Sequence, residues 1–414
     1  MKHRIIAFVL FAVFVFSVGI ARADQVLYVK DADGNRLTST TAIDNKCAWP
    51  NLTLMPDGSV VAIVYGEPTH GTTEGHIECW ASEDKGKTWS LRGVPAPHEP
   101  GTNRMNHAAG VANNGDLVVL CSGWSNHYPP GQQGTPLRAY TMYPWVSRSS
   151  DGGRTWTVDK KMFQPPFMSF ADGSLLGVAI PFGDILPGKD GRLHASVYLS
   201  SRTREEVFSD THTPRPTRAC VLTSSDDGRT WGDPVMIDSE NVRNETAILP
   251  LVNDGTWLAA SRSGRESGQT LGLYRSEDDG ENWAFQKEIT STLQHPGHLC
   301  RLQDGRILLT YGNRANHHID VLLSDDEGLT WSDPLALVDF RGDGGYPSSV
   351  QLDDGRILTA YYSSLPNYAM RMVDWQVSPV PEPGVTALLS GGLLMLSANR
   401  ASCTKKMPRH KIDE

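Results

Sequence analysis

Cysteine is scarce in this chain, and basic residues do not dominate it. Six cysteines are spread over 414 residues without one C-x-x-C pair, at positions 47, 79, 121, 220, 300 and 403. This argues against a zinc cluster and against a disulfide-dense scaffold. Lysine and arginine total 38 against 47 aspartate and glutamate, for a net charge of −9, so a nucleic-acid partner is not expected. The sequence indicates no cofactor and no metal site.

The composition instead favours a folded β protein. The 11 Trp, 12 Tyr and 11 Phe, with charged residues at 21%, exclude a wholly disordered chain. The 39 glycines and 26 prolines suit a turn-rich β fold better than a helical bundle. The length allows two or three domains, or one large repeat fold.

The first 23 residues have the pattern of a secretory signal peptide. Lys2, His3 and Arg4 are followed by an apolar run from Ile5 to Val18, and Ala21-Arg22-Ala23 provides an A-x-A cleavage site. The alternative is a transmembrane anchor, for which this apolar run is short. We therefore expect an exported protein whose folded part spans residues 24–378.

The last segment, residues 379–414, has a different pattern. Pro381-Glu382-Pro383 precedes an apolar stretch from Val385 to Ala398, and basic residues follow. This resembles the bacterial PEP-CTERM sorting tail. The resemblance implies a processing protease that reads the tail, and a location at the cell surface or in the extracellular matrix. A retained membrane anchor is the alternative, although about 14 residues is marginal for spanning ~30 Å of hydrocarbon.

One octapeptide recurs five times in the middle of the chain. Every copy has Ser, Asp, Gly and Trp in register, at positions 82–89, 149–156, 224–231, 276–283 and 324–331. The Asp carboxylate suits a turn in which it accepts hydrogen bonds from backbone N–H groups, and the Gly supplies a positive φ. The Trp begins a following strand and covers apolar surface. The repeat therefore predicts a series of similar β units.

A second signal alternates with the octapeptide. Six Asp-Gly or Asn-Gly pairs lie between short apolar runs, at positions 57, 114, 190, 254, 304 and 354, and predict tight hairpins. The hairpins are about 50 to 75 residues apart, which suits four-stranded propeller blades. The sixth unit, Tyr346 to Val377, lacks the octapeptide, and Val26 to Lys30 could add its outer strand. We predict an all-β, six-bladed β-propeller.

In a propeller, the starts of the first strands and the ends of the second strands converge on one face of the axis, and that pocket is the default site. The first-strand starts offer Trp49, Asn106, His107, Asp184, Glu245, His298 and Tyr346. The second-strand ends offer Glu67, Trp124, Arg202, Arg262, Arg314 and Tyr362.

The octapeptide resembles the Asp box, or BNR repeat, of the sialidase (neuraminidase) superfamily. Three further features resemble the sialidase site in order and spacing: Glu245 followed by Arg262 after a hairpin, then Arg314, then Tyr346 in the last unit. The resemblance implies a glycoside hydrolase for an acidic glycan, with Tyr346 as nucleophile, Glu245 as its base, and the two arginines gripping the substrate. A neutral phenol suits an anomeric carbon that bears a carboxylate, because a carboxylate nucleophile would be repelled.

The chain also departs from the sialidase pattern. Where sialidases have an Arg-Ile-Pro motif, this chain has Ala48-Trp49-Pro50, so one expected arginine is missing. The acid/base Asp of the first blade is not evident either. Glu67, His70 and Glu74 are available in its place, and we expect Glu67 or Glu74 to take that role. Further candidates for substrate binding are His107, Asp184, His298 and Trp49.

Three classes of function remain open from the sequence. The first is a monomeric sialidase-type hydrolase. The second is a polysaccharide lyase or another glycosidase on the same scaffold, with His107 or His298 abstracting a proton beside an arginine-bound uronate. The third is a non-catalytic glycan-binding surface protein. The pair His295 and His298 is weak evidence for a metal, and Glu245 with Arg262 also fits a structural ion pair.

Overall fold

The structure is a computed structural model that describes residues 29–30, 37–46, 49–165, 167–169 and 176–377. The signal peptide and the sorting tail lie outside the described residues. Strands dominate, as the all-β prediction requires, and the helices that the described residues form are short. None of those helices has the length and apolar character that a membrane crossing requires.

The first half of the fold contains three four-stranded units preceded by two further strands. The preceding strands are β1 (Val29–Lys30) and β2 (Ser39–Asp44). Unit 1 contains β3 (Asn51–Leu54), β4 (Val60–Tyr65), β5 (Ile77–Ser82) and β6 (Ser90–Ala96). Unit 2 contains β7 (Asn106–Val111), β8 (Leu117–Ser125), β9 (Tyr140–Ser149) and β10 (Thr157–Asp159). Unit 3 contains β11 (Val178–Pro187), β12 (Leu193–Ser200), helix α1 (Arg204–Phe208), β13 (Ala219–Ser224) and β14 (Gly232–Met236).

The second half repeats this arrangement. Unit 4 contains β15 (Arg243–Pro250), β16 (Trp257–Ser263), a 3₁₀ turn (Arg265–Ser267), β17 (Leu271–Ser276) and β18 (Ala284–Glu288). Unit 5 contains β19 (Gln294–Arg301), β20 (Ile307–Asn313), β21 (His318–Ser324) and β22 (Leu335–Asp339). Unit 6 contains β23 (Gly344–Gln351), β24 (Ile357–Ser363) and β25 (Ala369–Val377).

Within each unit, strands that follow one another in the chain are antiparallel neighbours. Units 2 and 3 are joined into one eight-stranded sheet, because β7 and β11 pair in parallel at Ala108–Gly183 and Ala109–Asp184. In unit 6 the outer position beside β25 is taken by β1 and β2, both of which precede unit 1. The sequence predicted the first of these strands and missed the longer second one.

The octapeptides form the turns between the third and fourth strands of units 1 to 5. In unit 3, Asp226 Oδ1 accepts hydrogen bonds from the Thr230 backbone N–H at 2.8 Å and from the Ser224 hydroxyl at 2.9 Å. The Trp231 indole N–H donates to the Gly228 carbonyl at 3.2 Å, and Gly228 has a φ of 77°. Each part of the motif thus satisfies a backbone or side-chain group of the same turn.

Apolar side chains fill the space between successive units. One cluster joins Val61 and Ile63 of unit 1 to Val119 of unit 2, and another joins Val60 of unit 1 to Leu358 of unit 6. The first strands of successive units contact one another, and β23 also contacts β3. This gives a propeller-like all-β fold in which the starts of the first strands meet at one end.

Candidate active site

Four of the first strands share an irregularity, which lies near the start of three of them and in the middle of β11. The register shifts in β11 between Phe182 and Ile185, and likewise in β15 across residues 243–246, in β19 across 294–297 and in β23 across 345–348. Such bulges redirect side chains and are common next to active sites. The residues within the four bulges include Asp184, Glu245, His295 and Tyr346, which therefore leave the regular in-and-out alternation of their strands.

Tyr346 and Glu245 are in direct contact. The Tyr346 hydroxyl donates a hydrogen bond to Glu245 Oε1 at 2.7 Å, and only 6% of Tyr346 and 8% of Glu245 is exposed. Burial, reinforced by the charge of Glu245, raises the pKa of Tyr346 well above its usual value, although Arg262 and Arg314 oppose that shift. The phenol is therefore neutral at rest and has a carboxylate in place to accept its proton.

Arg262 completes this group. It forms an ion pair with Glu245 Oε2, and its Nη1 lies 3.3 Å from the Tyr346 hydroxyl. Burial is the largest single influence and would lower the pKa of Arg262, but the charge and hydrogen bond of Glu245, together with Tyr346, outweigh burial and raise that pKa. Its Nε has no hydrogen-bond partner among the described residues. The guanidinium is thus permanently charged and has a free donor.

Arg314 belongs to a second group centred on Asp343. It pairs with Asp343 Oδ1 and donates to the Gly344 carbonyl at 2.9 Å. Asp343 Oδ2 lies 2.7 Å from His70 Nδ1 and accepts the Tyr362 hydroxyl at 2.8 Å. Burial works against ionisation of Asp343, but the hydrogen bonds from His70 and Tyr362, with the charge of Arg314, hold its pKa below the usual range.

Aromatic rings connect the two groups. Trp49 lies edge-on to His70, and their ring centroids are 5.0 Å apart. The ring centroids of Trp49 and Tyr346 are 5.3 Å apart. Tyr362 lies 5.8 Å from Tyr346 and 6.1 Å from His70. The Arg314 guanidinium carbon is 6.0 Å from the Tyr346 ring centroid. The predicted residues Trp49, Glu245, Arg262, Arg314 and Tyr346 are therefore brought together.

Two of the remaining first-strand candidates, His107 and His298, lie around a narrow cavity that is also lined by Trp49, Glu245 and Tyr346. The cavity volume is about 30 Å³, which is large enough for a water molecule but not for a sugar ring. His298 Nε2 bonds Asp184 Oδ2 at 2.9 Å, and burial lowers the pKa of His107 to about 4. His107 and His298 thus border this narrow space beside Tyr346, and His298 together with Asp184 also lines a separate cavity of about 800 Å³.

The two predicted acid/base residues do not join the Tyr346 group. Glu74 is half exposed and accepts the Gly101 backbone N–H at 2.9 Å, facing away toward unit 2. Glu67 lies against Gly75 and has no hydrogen bond to the cluster among the residues described. The same loop instead contributes His70. Asp343 was missed entirely, although its place three residues before Tyr346 was a usable signal.

His295, which the sequence offered only as weak evidence for a metal, is a buried side chain without hydrogen-bond partners in the described part of the chain. It is 2% exposed, and neither ring nitrogen has a hydrogen-bond partner among the described residues. Burial, together with the charges of Arg262 and Arg314, lowers its pKa to about 2. The imidazole is therefore neutral, and its electrostatic environment includes both guanidinium groups. Across the part of the chain that the structure describes, no three His, Cys, Asp or Glu residues are grouped as a metal site.

Comparison with known proteins identifies the family. The model of the BNR repeat-like domain matches residues 30–293 and 92–358, and the chain belongs to that family. A curated sialidase from Bacteroides fragilis is 24% identical over 216 residues, which cover 45% of this chain and 37% of that relative. The match thus spans well under half of the relative's length.

Solved structures share the fold at low sequence identity. A protein of unknown function from Dyadobacter fermentans has a TM-score of 0.66 at 23% identity, over 84% of this chain and 99% of that one. The Trypanosoma rangeli sialidase, in complex with the inhibitor DANA, has a TM-score of 0.59 at 17% identity, over 92% of this chain and 62% of that one. The chain therefore has a sialidase-like fold.

Proposed function

We propose that this protein is a six-bladed β-propeller glycoside hydrolase of sialidase type that acts on an acidic sugar. Six units follow one another, and the first strands of units 6 and 1 are in contact, which supports closure into six blades. In the octapeptide turn of unit 3, the Asp carboxylate accepts a backbone N–H and the Ser hydroxyl, and the Trp indole donates to the Gly carbonyl; these contacts support the resemblance to Asp boxes.

The observation that carries the proposal is the contact of Tyr346 with Glu245. As the phenol oxygen attacks the anomeric carbon, its proton passes to Glu245 Oε1, which already accepts the hydrogen bond at 2.7 Å. General-base assistance of this kind activates a nucleophile that is weak at its own pKa. Since the burial of Tyr346 raises its pKa, attack without a base in contact would be slow.

The acidic substrate is inferred from the arginines. Arg262 and Arg314 both lie close to Tyr346, at the hydroxyl and near the ring respectively. Guanidinium groups bind carboxylates through paired N–H donors and remain charged at any working pH. A sugar with a carboxylate near its anomeric carbon would place that group beside both arginines while its anomeric carbon faces the phenol.

Export and location are part of the same proposal. The signal peptide of residues 1–23 and the PEP-CTERM-like tail of residues 379–414 would send a monomeric enzyme to the cell surface or the extracellular matrix. A sorting protease would then process the tail. An acidic glycan outside the cell is a substrate that such a location makes available.

The test is hydrolysis of aryl glycosides of sialic and uronic acids by the full chain and by Tyr346→Phe. We expect the variant to lose at least about 10³-fold in kcat. Tyr128→Phe is the control, because the Tyr128 hydroxyl donates to the Thr135 carbonyl and has no hydrogen bond to the Tyr346 group among the described residues. Undiminished turnover by Tyr346→Phe would rule out Tyr346 as the nucleophile. Inactivity of the unaltered protein on the whole panel would rule out the hydrolase function.

A further inference from the structure

We propose that His70 is the proton donor and acceptor for the glycosidic oxygen, taking the place of the missing first-blade carboxylate. This inference rests on the proposed hydrolase function and extends it to a residue on the loop between β4 and β5. It differs from the sequence-based expectation, which placed Glu67 or Glu74 in that role.

The position of His70 suits proton transfer at the leaving group. Its ring lies 5.0 Å from Trp49 and 6.1 Å from Tyr362. The same two rings lie 5.3 and 5.8 Å from Tyr346. His70 and the nucleophile therefore share their neighbours, although they come from opposite ends of the chain, and a sugar beside Tyr346 would also be close to His70.

The hydrogen bonds of His70 leave one ring nitrogen for the substrate. Nδ1 lies 2.7 Å from Asp343 Oδ2 and 3.2 Å from the Tyr362 hydroxyl. Nε2 has no hydrogen bond with any residue that the structure describes, and about a third of the side chain is exposed. A carboxylate at one nitrogen orients the imidazole and leaves the other nitrogen to exchange a proton with the substrate.

The supporting residues are themselves held in place. Asp343 pairs with Arg314, and its backbone N–H donates to the Ser364 hydroxyl at 2.8 Å. The loop that carries His70 is fixed by Arg138, which donates to the Gly71 carbonyl at 2.9 Å and to the His70 carbonyl at 3.4 Å. A rigid support of this kind is what a catalytic acid needs for its geometry.

The proton balance closes without any further reactant. In the first step the Tyr346 oxygen bonds to the anomeric carbon, the glycosidic C–O bond breaks, the phenol proton goes to Glu245, and His70 Nε2–H protonates the leaving oxygen. In the second step His70 Nε2 takes a proton from water, whose oxygen bonds to the anomeric carbon. The Tyr346 oxygen then leaves and regains its proton from Glu245.

The experiment uses substrates whose leaving groups differ in basicity. The full chain, His70→Gln and His76→Gln are compared on 4-nitrophenyl, 4-methylumbelliferyl and alkyl glycosides of the same acidic sugar. His76 is the matched control, because it lies on the same loop with similar exposure but contacts Glu78 and His98 instead. Circular dichroism checks that each variant folds.

We expect His70→Gln to lose about 10²- to 10⁴-fold on alkyl glycosides, and much less on the 4-nitrophenyl glycoside, because a nitrophenolate leaves without a proton. Added azide should restore turnover of the 4-nitrophenyl glycoside with formation of a glycosyl azide, since azide needs no base. His76→Gln should behave as the unaltered protein. If His70→Gln does not fold, Asp343→Asn should show the same dependence on leaving group at a smaller amplitude.

The two proposals fail in different ways. The role of His70 alone would be overturned if His70→Gln lost the same activity on every glycoside, or lost none, while turnover still depended on Tyr346. Absence of turnover by the unaltered protein on every glycoside would overturn the hydrolase function and this role together.

Discussion

Tyr346 donates a 2.7 Å hydrogen bond to Glu245 across 101 positions of sequence, from the first strand of unit 6 to the first strand of unit 4. The two residues lie in equivalent bulges of strands that are not neighbours. Their contact therefore depends on the arrangement of the first strands around a common centre rather than on any local motif.

Replacing Glu245 should affect both stability and turnover. Glu245→Gln leaves the charge of Arg262 without its carboxylate at a site where both side chains are mostly buried. We expect a loss of about 3 kcal/mol in the free energy of unfolding and a fall in kcat of about 10²-fold or more. Urea denaturation and steady-state kinetics measure the two effects. Glu266→Gln, which removes an exposed carboxylate, should change neither, and wild-type stability in Glu245→Gln would show that the ion pair contributes nothing.

Asp343 should make stability depend on pH in the acid range. Its pKa in the folded protein is lowered, so its contribution is fully present above the unfolded value of about 3.9 and is lost as the pH falls through the folded value. We expect the unaltered protein to be more stable than Asp343→Asn at neutral pH, and this difference in the free energy of unfolding to shrink as the pH falls below about 4. Urea titrations at a series of pH values measure the difference, and a difference that grows below about pH 4 would contradict the assignment.

His295 and His298 should respond in opposite directions to the same substitution. His295 has two unsatisfied ring nitrogens within the described structure, so His295→Leu should raise the free energy of unfolding by about 1 kcal/mol. His298 binds Asp184 and accepts the Ser349 backbone N–H at 3.3 Å, so His298→Leu should lower it by about 2 kcal/mol. A rise in KM for His295→Leu would show in addition that the ring nitrogens of His295 bind substrate. Equal destabilisation by both substitutions would show that His295 has partners.

The octapeptide turns should depend on their aspartate. In unit 3, Asp226 accepts the Thr230 backbone N–H and the Ser224 hydroxyl. We expect Asp226→Ala to destabilise the protein by about 1 to 2 kcal/mol. Ser225→Ala, at the exposed neighbouring position, is the control and should have little effect. Thermal unfolding followed by tryptophan fluorescence distinguishes the two variants, and equal melting temperatures would count against this role of the carboxylate.

The sequence predicted the local features of the fold well. The Asp-Gly hairpins and octapeptide turns are determined by residues within a few positions of one another, such as Asp226 and Thr230, and both appear where their motifs lie. The strand β2 was missed because Ser39–Asp44 is mostly polar and lacks a regular alternation of buried and exposed residues. It becomes a strand only because β25 of the last unit provides hydrogen bonds from the far end of the chain.

The site was predictable only where family spacing applied. Glu245, Arg262, Arg314 and Tyr346 follow a known order, and the structure brings them together. Glu67 and Glu74 were expected by position in the chain, yet the path of the loop turns Glu74 toward Gly101 and brings His70 inward. The bulges that orient Glu245 and Tyr346 are register shifts between strands, which no single stretch of residues indicates.

The pairing of β1 and β2 with β25 has a mechanical consequence. Val29 lies opposite Val377, and Ser39 lies opposite Val373. The polypeptide thus enters and leaves this ladder side by side at the same end. Tension applied between these two points would separate the hydrogen bonds one after another instead of loading them simultaneously. The molecule should therefore yield first at this seam under force, well before the interior units come apart.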